Sequence, residues 1–305
     1  GGNRPSGGGS ADSGDPQLWP PRSAYLHIPF CHRRCFYCDF AVVPLGDRAS
    51  GAAGDAGSAS IEAYLALLLE EIAAAPAGPP LSTLYVGGGT PSMLTAEQLG
   101  RLLAALRRRF GLAPGAEVSL EMDPASFDQA RLAGYLAAGV NRVSLGGQSF
   151  DDAVLERLGR RHRRADLLQA AGWLQQAMVR GRLSSWSLDL IQGLPGMDLP
   201  AWREQLRQAI ALRPPHLSPA VSSAAARGGP SPVPASSQRL SVGACPSGWC
   251  KERWCIRMWP PAIDRVCEPL LAGGGGAGGA PAALHPGQPD AGGRDGRAAR
   301  RPAPR

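Results

Sequence analysis

Lysine is almost absent from this chain of 305 residues: Lys251 stands alone among 32 basic residues. That skew, with 40 Gly and 29 Pro, reads as GC-rich coding bias, so individual arginines are not evidence of bidentate chemistry by their identity alone. No run of about 18 apolar residues occurs, which excludes a hydrophobic membrane span and predicts a soluble protein. The first residue is not Met and nothing resembles a secretory signal, so the sequence reads as a fragment or incomplete gene product in which a targeting segment is not resolvable. A compartment is therefore not fixed, and the cytoplasm or an organelle, mitochondrion or plastid, all fit. The charge of +7 with pI near 9.4 is not a nucleic-acid footprint, because it is unevenly placed. Residues 1–218 hold 21 Arg against 20 acids, whereas 219–305 hold 10 Arg and one Lys against 5 acids. No nucleic-acid partner is expected.

What is present centres on Cys31-His-Arg-Arg-Cys35-Phe-Tyr-Cys38, just after the apolar run Ala24–Ile28. Three thiolates on a loop leaving a strand can wrap a soft metal centre and leave one coordination position open, as an iron-sulfur cluster with a free iron requires. A Cys3His zinc site through His32 is disfavoured, since adjacent residues chelate one small ion only with strain. A disulfide pairing leaves one of the three unpaired, which points to a reducing compartment.

The order of elements follows from periodicity. Residues 1–23 and the stretch Pro44–Ser60 are Gly-, Ala- and Ser-rich, the first predicted to be disordered and the second a flexible surface loop. Ile61, Tyr64, Leu65, Leu68 and Ile72 follow helical spacing. The run Ser82–Val86 reads as a strand. Thr95 and Gln98 form a capping box for a helix that Gly111 ends, and Ser126 with Gln129 predicts another that stops at Gly139. Glu117–Glu121, Asn141–Leu145 and Ser185–Ile191 read as strands, with helices from Asp151 to Leu158, Asp166 to Val179 and Ala201 to Leu212. Five β-then-α units without hairpin signals imply an α/β fold with parallel strands, either a barrel or a doubly wound sheet. Polar and Gly-rich clusters fall at the strand ends, where such folds carry their chemistry: the cysteine loop, Gly87-Gly88-Gly89-Thr90-Pro91, Glu121-Met-Asp-Pro124, Gly146–Phe150 and Asp189.

On these residues the chain, over 24–218, resembles the radical S-adenosylmethionine (SAM) superfamily and, within it, the oxygen-independent coproporphyrinogen III oxidase group. The run Tyr25-Leu-His-Ile-Pro-Phe-Cys31-x3-Cys35-x-Tyr37-Cys38 carries the likeness most specifically. The resemblance implies a partial (β/α)6 barrel in which Cys31, Cys35 and Cys38 hold a 4Fe-4S cluster and S-adenosyl-L-methionine chelates the open iron, reductive cleavage giving a 5′-deoxyadenosyl radical. It further implies cofactor contacts from Tyr25, Tyr37, Gly88, Gly89, Thr90, Glu121, Gln148, Arg160 and Asp189. Three glycines allow close approach, Glu121 and Asp189 suit ribose hydroxyls or the amino group, and Arg160 faces the cofactor carboxylate. The decarboxylating oxidases of the group carry a further cysteine two residues past the third ligand, where this chain has Phe40. Cys38-Asp-Phe, Leu145-Gly-x-Gln-Ser-Phe150 and Asp189-Leu-Ile-x-Gly-Leu-Pro-Gly196 look like the HemW branch, regarded as haem chaperones. That branch implies haem or porphyrin as ligand and a haem-accepting protein as partner. His27, His32, His162 and His216 are candidate haem ligands, with nothing in the sequence to choose among them. Gly147, where the branch has a branched apolar residue, is expected to loosen its loop.

The likeness stops at Ser218. The sixth strand is expected to be incomplete, leaving the fifth with a bare edge, and residues 219–305 to form a disordered, non-homologous tail arising from a frameshift or retained intron. Cys245, Cys250, Cys255 and Cys267 are read as a coincidental mimic of a zinc module. Besides the haem chaperone, porphyrinogen decarboxylation and a nonfunctional truncated product remain as readings.

Overall fold

A computed structural model describes residues 22–46, 56–221 and 255–258. Most of the predicted N-terminal segment, part of the Pro44–Ser60 loop and most of the tail, including Cys245, Cys250 and Cys267, lie outside the described residues.

Six parallel strands run in chain order across one sheet. They are β1 (Ser23–Ile28), β4 (Leu81–Gly88), β5 (Leu112–Met122), β6 (Arg142–Gln148), β7 (Ser185–Gln192) and β8 (His216–Val221). Helices α1 (Ala56–Ala74), α2 (Ala96–Phe110), α3 (Gln129–Ala138), α4 (Asp152–Arg157), α5 (Arg164–Val179) and α6 (Leu199–Ala211) fill the crossovers. This is the strand order of a partial (β/α)6 barrel. The two short strands β2 (Phe30–Cys31) and β3 (Val43–Pro44) pair with each other and close the base of the cysteine loop.

Alternation along the strands separates two faces. Leu26, Val86, Leu120, Val143 and Trp186 lie in one register row and are buried among apolar side chains, with Leu65, Leu68, Leu102, Leu106, Leu167 and Leu174 of the helices in the same core. The neighbouring rows carry Tyr25, Tyr85, Ser119 and Arg142, then Glu121, Ser144 and Ser187. The apolar face holds the helices, and the other face is polar.

Several boundaries move for identifiable reasons. The capping box at Thr95 forms as expected, Gln98 N donating to Thr95 Oγ1 at 3.1 Å and Thr95 N to Gln98 Oε1 at 2.8 Å. The next helix starts two residues later than the Ser126 cap would give, because the Asp128 carboxylate accepts from Arg131 N at 2.7 Å while Ser126 bonds to the Asp123 carbonyl. The edge of the fifth barrel strand is not bare: β8 pairs with β7 from Ser187↔His216 to Gln192↔Val221, three residues past the point where the likeness was expected to end. Pro219 is tolerated because β8 is itself an edge strand. Within the stretch read as an unstructured tail, Cys255–Met258 forms β9, parallel to β1 from Ser23↔Cys255 to Leu26↔Met258. Strand β1 otherwise ends the sheet and offers unpaired backbone groups to any strand-forming segment.

Candidate functional site

The cysteine loop is built as a closed unit. Val43 N bonds to the Pro29 carbonyl, Leu45 N to Cys31 and Gly46 N to His32, each at 2.8 Å, so both ends of the loop are fixed together. Phe36 N donates to the Leu158 carbonyl at 3.2 Å, which ties the loop to the end of α4, and Cys38 N turns back onto the Cys35 carbonyl. Cys31, Cys35 and Cys38 are free thiols on the wall of one cleft of about 210 Å³ at the C-terminal ends of the strands. Burial pushes the Cys31 thiol up to about 12, against the hydrogen bond from Thr90 Oγ1 at 3.4 Å, and burial raises Cys38 as well. Three thiols on one loop, Cys31 buried and Cys35 and Cys38 half-buried, favour binding a group that takes their protons and supplies positive charge. Together these thiols are the donor set of an iron-sulfur cluster that keeps one iron open. The donor set and its setting fit such a cluster.

Gly88, Gly89, Thr90, Glu121, Gln148, Arg160, Asp189 and Tyr37 line the same cleft, as the sequence reading grouped them. Tyr25 is the exception. It is buried, stacks on Tyr85 with ring centroids 6.0 Å apart and lies 3.2 Å from His27 Nδ1, and it is not part of the cleft lining. The glycines have a packing reason beside the expected one of ligand approach. A Cβ at Gly88, whose φ is +116°, would lie 2.7 Å from the His27 ring, and one at Gly89 would lie 2.6 Å from the Phe30 carbonyl oxygen. Gly147 is not a loosened position: a Cβ there would meet Leu188 at 2.7 Å, and its carbonyl accepts from His162 Nε2 at 3.0 Å. The next residue, Gln148, has φ +64° at a register shift in β6, a strained backbone held at the cleft.

One wall is acidic and open. Glu121 Oε1 accepts from Tyr85 OH at 2.8 Å and Oε2 from Gly88 N at 3.0 Å, yet burial raises its carboxyl to about 7. Asp189 is raised by burial to about 6 in spite of Ser144 Oγ, which donates to both carboxylate oxygens at 3.1 and 2.9 Å. The facing wall is paired. Arg160 Nη2 bonds Asp123 Oδ2 at 2.6 Å and the Gly146 carbonyl at 2.8 Å, while Nη1 reaches Tyr37 OH at 3.2 Å and Cys35 Sγ at 3.9 Å. Burial alone would raise Asp123, but Arg160 and His162 outweigh it and hold the carboxyl below the usual range. Asp123, Tyr85 and Ser144 were given no role by the sequence, and His162 was given only that of a candidate haem ligand. Asp123 was legible, since it stands two residues after Glu121 and so emerges on the same side of the strand end.

The four histidines differ in what they can do. His27 is buried between the Tyr25 hydroxyl and the Ala41 carbonyl, and His162 is fully buried with Nε2 on Gly147 and Nδ1 3.4 Å from Arg160 Nε. Both rings have their nitrogens engaged. His32 lines the cleft with Nδ1 3.3 Å from the Gly46 carbonyl oxygen, and His216 is exposed on β8.

A parallel partial barrel with a three-cysteine loop at the carboxyl end of its first strand defines a class of cluster-binding α/β proteins. The Radical SAM superfamily profile matches residues 25–207, and the chain belongs to that family. It is 43% identical over 199 residues to "Heme chaperone HemW" of Synechocystis (65% of this chain, 46% of the relative) and 39% identical over 202 residues to that of Escherichia coli (65% and 50%). Among solved structures it is similar to coproporphyrinogen III oxidase (HemN) from Escherichia coli, a radical SAM enzyme, with TM-score 0.58 and 29% identity over 70% of this chain and 49% of that one. The chain thus spans about half the length of the relatives it matches. No helix among the described residues is long and apolar enough to cross a membrane.

Proposed function

We propose that this chain is the core of a HemW-like haem chaperone, binding a 4Fe-4S cluster through Cys31, Cys35 and Cys38 and S-adenosylmethionine across the strand ends. When bound, that pair supplies one-electron reductive chemistry. The residues of the chain hold and orient. Thr90 donates to Cys31 and Arg160 to Cys35, holding two of the three thiols in place. Glu121 and Asp189 offer carboxylate oxygens on the open wall to hydroxyl or ammonium donors, and ionise as such donors engage them. Gln148 can donate and accept beside them, and Gly88, Gly89 and Tyr37 shape the approach. Asp123 neutralises part of the Arg160 charge, and the other guanidinium donors go to the Gly146 carbonyl, Tyr37, Cys35 and His162, so Arg160 ties the cysteine loop to the end of β6.

The observation that carries the chaperone reading is the 43% identity to a protein named a haem chaperone, supported by Cys38-Asp39-Phe40. The likeness to coproporphyrinogen III oxidase favours a second reading, decarboxylation of porphyrinogen propionates, against which Phe40 stands where the oxidases carry cysteine. His32 and His216 are the candidate haem ligands, a haem-accepting protein is the partner, and the compartment is the cytoplasm or an organelle; a relative from Bos taurus, 34% identical, is named as mitochondrial. The test is an anaerobic haem titration of the reconstituted chain followed by absorbance, beside an assay of carbon dioxide release from coproporphyrinogen III. Saturable haem binding without release is expected. Release of carbon dioxide transfers the reading to the oxidase, and absence of haem binding overturns the chaperone.

A further inference from the structure

At the mouth of the cleft, arginines gather with no acid paired to them among the described residues. Arg33 Nη2 at 2.8 Å and Arg163 Nη1 at 3.0 Å both donate to the main-chain carbonyl of Arg160, and Arg163 Nη1 also reaches the His162 carbonyl at 3.0 Å. Two guanidinium groups therefore meet at one oxygen. Arg161, exposed and lining the cleft mouth as Arg33 does, adds a third cation beside them. Among the described residues no ion pair takes up Arg33, Arg161 or Arg163. Cations held this close repel one another unless an anion bridges them, and guanidinium forks match a carboxylate in two-point geometry.

Beside this cluster stands Phe36, 78% exposed and anchored through its backbone to Leu158, with its ring against Gly159. A flat apolar plate next to a cluster of cations suits a ligand with an extended aromatic face and an acid at its edge. The cleft itself, about 210 Å³, is below the roughly 300–1,000 Å³ usual for drug-sized ligands, so a tetrapyrrole must lie over the mouth. We infer that Arg33, Arg161 and Arg163 form a carboxylate-binding rim for a propionate of a tetrapyrrole resting on Phe36; this rests on the reading of the protein as one that handles haem.

The experiment compares haem with its dimethyl ester, in which both propionates are blocked, on the reconstituted full chain in one detergent buffer. The variants are the double substitution Arg33→Gln with Arg163→Gln and, as a control for lost charge, Arg108→Gln in the last turn of α2 at the far end of the barrel. Iron and sulfide content reports whether the cysteine loop of each variant has formed. The wild type is expected to bind haem roughly tenfold or more tightly than the ester. The double variant loses that preference while its affinity for the ester is unchanged, and Arg108→Gln behaves as wild type. Equal affinity of the wild type for haem and ester overturns the rim while haem binding stands, and needs no variant to fold. Binding of neither ligand overturns the chaperone reading itself.

Discussion

Glu121 and Asp123 stand two residues apart at the end of β5, and their environments push them in opposite directions. Asp123 meets Arg160 and His162, and is held ionised. Glu121 meets only neutral donors, Tyr85 OH and Gly88 N, and burial raises it to about 7. The paired carboxylate is a structural part, since its charge is already answered within the chain. The raised one, with Asp189 beside it, is an acceptor with no ion pair among the described residues. A ligand bearing hydroxyl or ammonium donors gains most against such a wall.

Breaking the paired side has the largest expected effect. Arg160→Leu strands the Asp123 carboxylate in the interior, and a loss of about 3–5 kcal/mol in urea unfolding is expected, with Arg160→Lys losing less. Titrating the open side comes next. The folded-state carboxyls of Glu121 and Asp189 lie near 7 and 6, above their ordinary values of 4.5 and 3.8. The folded chain therefore holds those protons more tightly than the unfolded one, and stability falls as pH rises from about 4 to 7, by up to about 3 kcal/mol for each group. Asp123 has the opposite sign: its stabilisation is present above its ordinary value and is lost as pH falls further. Unfolding of the metal-free chain at a series of pH values should show the decline toward neutrality, and Glu121→Gln should flatten part of it.

Smaller effects sharpen the contrast between cleft and scaffold. Gly147→Val drives a side chain into Leu188 and Leu167 behind the cleft, and about 1–3 kcal/mol of destabilisation is expected in the same urea assay. Thr95→Ala removes the capping box of α2 at a cost of about 1 kcal/mol. Cofactor-induced spectral changes should be unaffected in Thr95→Ala, because α2 packs on the apolar face of the sheet.

Much of this was legible because it is local. The Thr95 and Gln98 pair fixed the start of α2, Gly139 its φ of +110° at the end of α3, and the spacing of three cysteines their common loop. Strand-end clusters also came together as a parallel fold requires. What could not be read depends on neighbours distant in sequence. Tyr25 was expected on the cleft, but stacking on Tyr85 across the β1–β4 pair holds it below. The mild look of Gly147 concealed two leucines that fill its space. Ser126 satisfied the capping pattern, yet Asp128 was the stronger acceptor and took the position. The pairing of β9 with β1 depended on an edge that no local pattern marks.

The account turns on the three-cysteine loop holding a cluster with one open iron. Its most direct test is electron paramagnetic resonance of the anaerobically reconstituted, reduced chain before and after addition of S-adenosylmethionine, with the triple substitution of Cys31, Cys35 and Cys38 by Ala alongside. A cluster signal that shifts on addition of the cofactor and is absent from the triple variant is the predicted result. A signal that persists without the cysteines, or that is present but indifferent to the cofactor, would contradict the open-iron site, and absence of any signal from the wild-type chain would contradict cluster binding altogether.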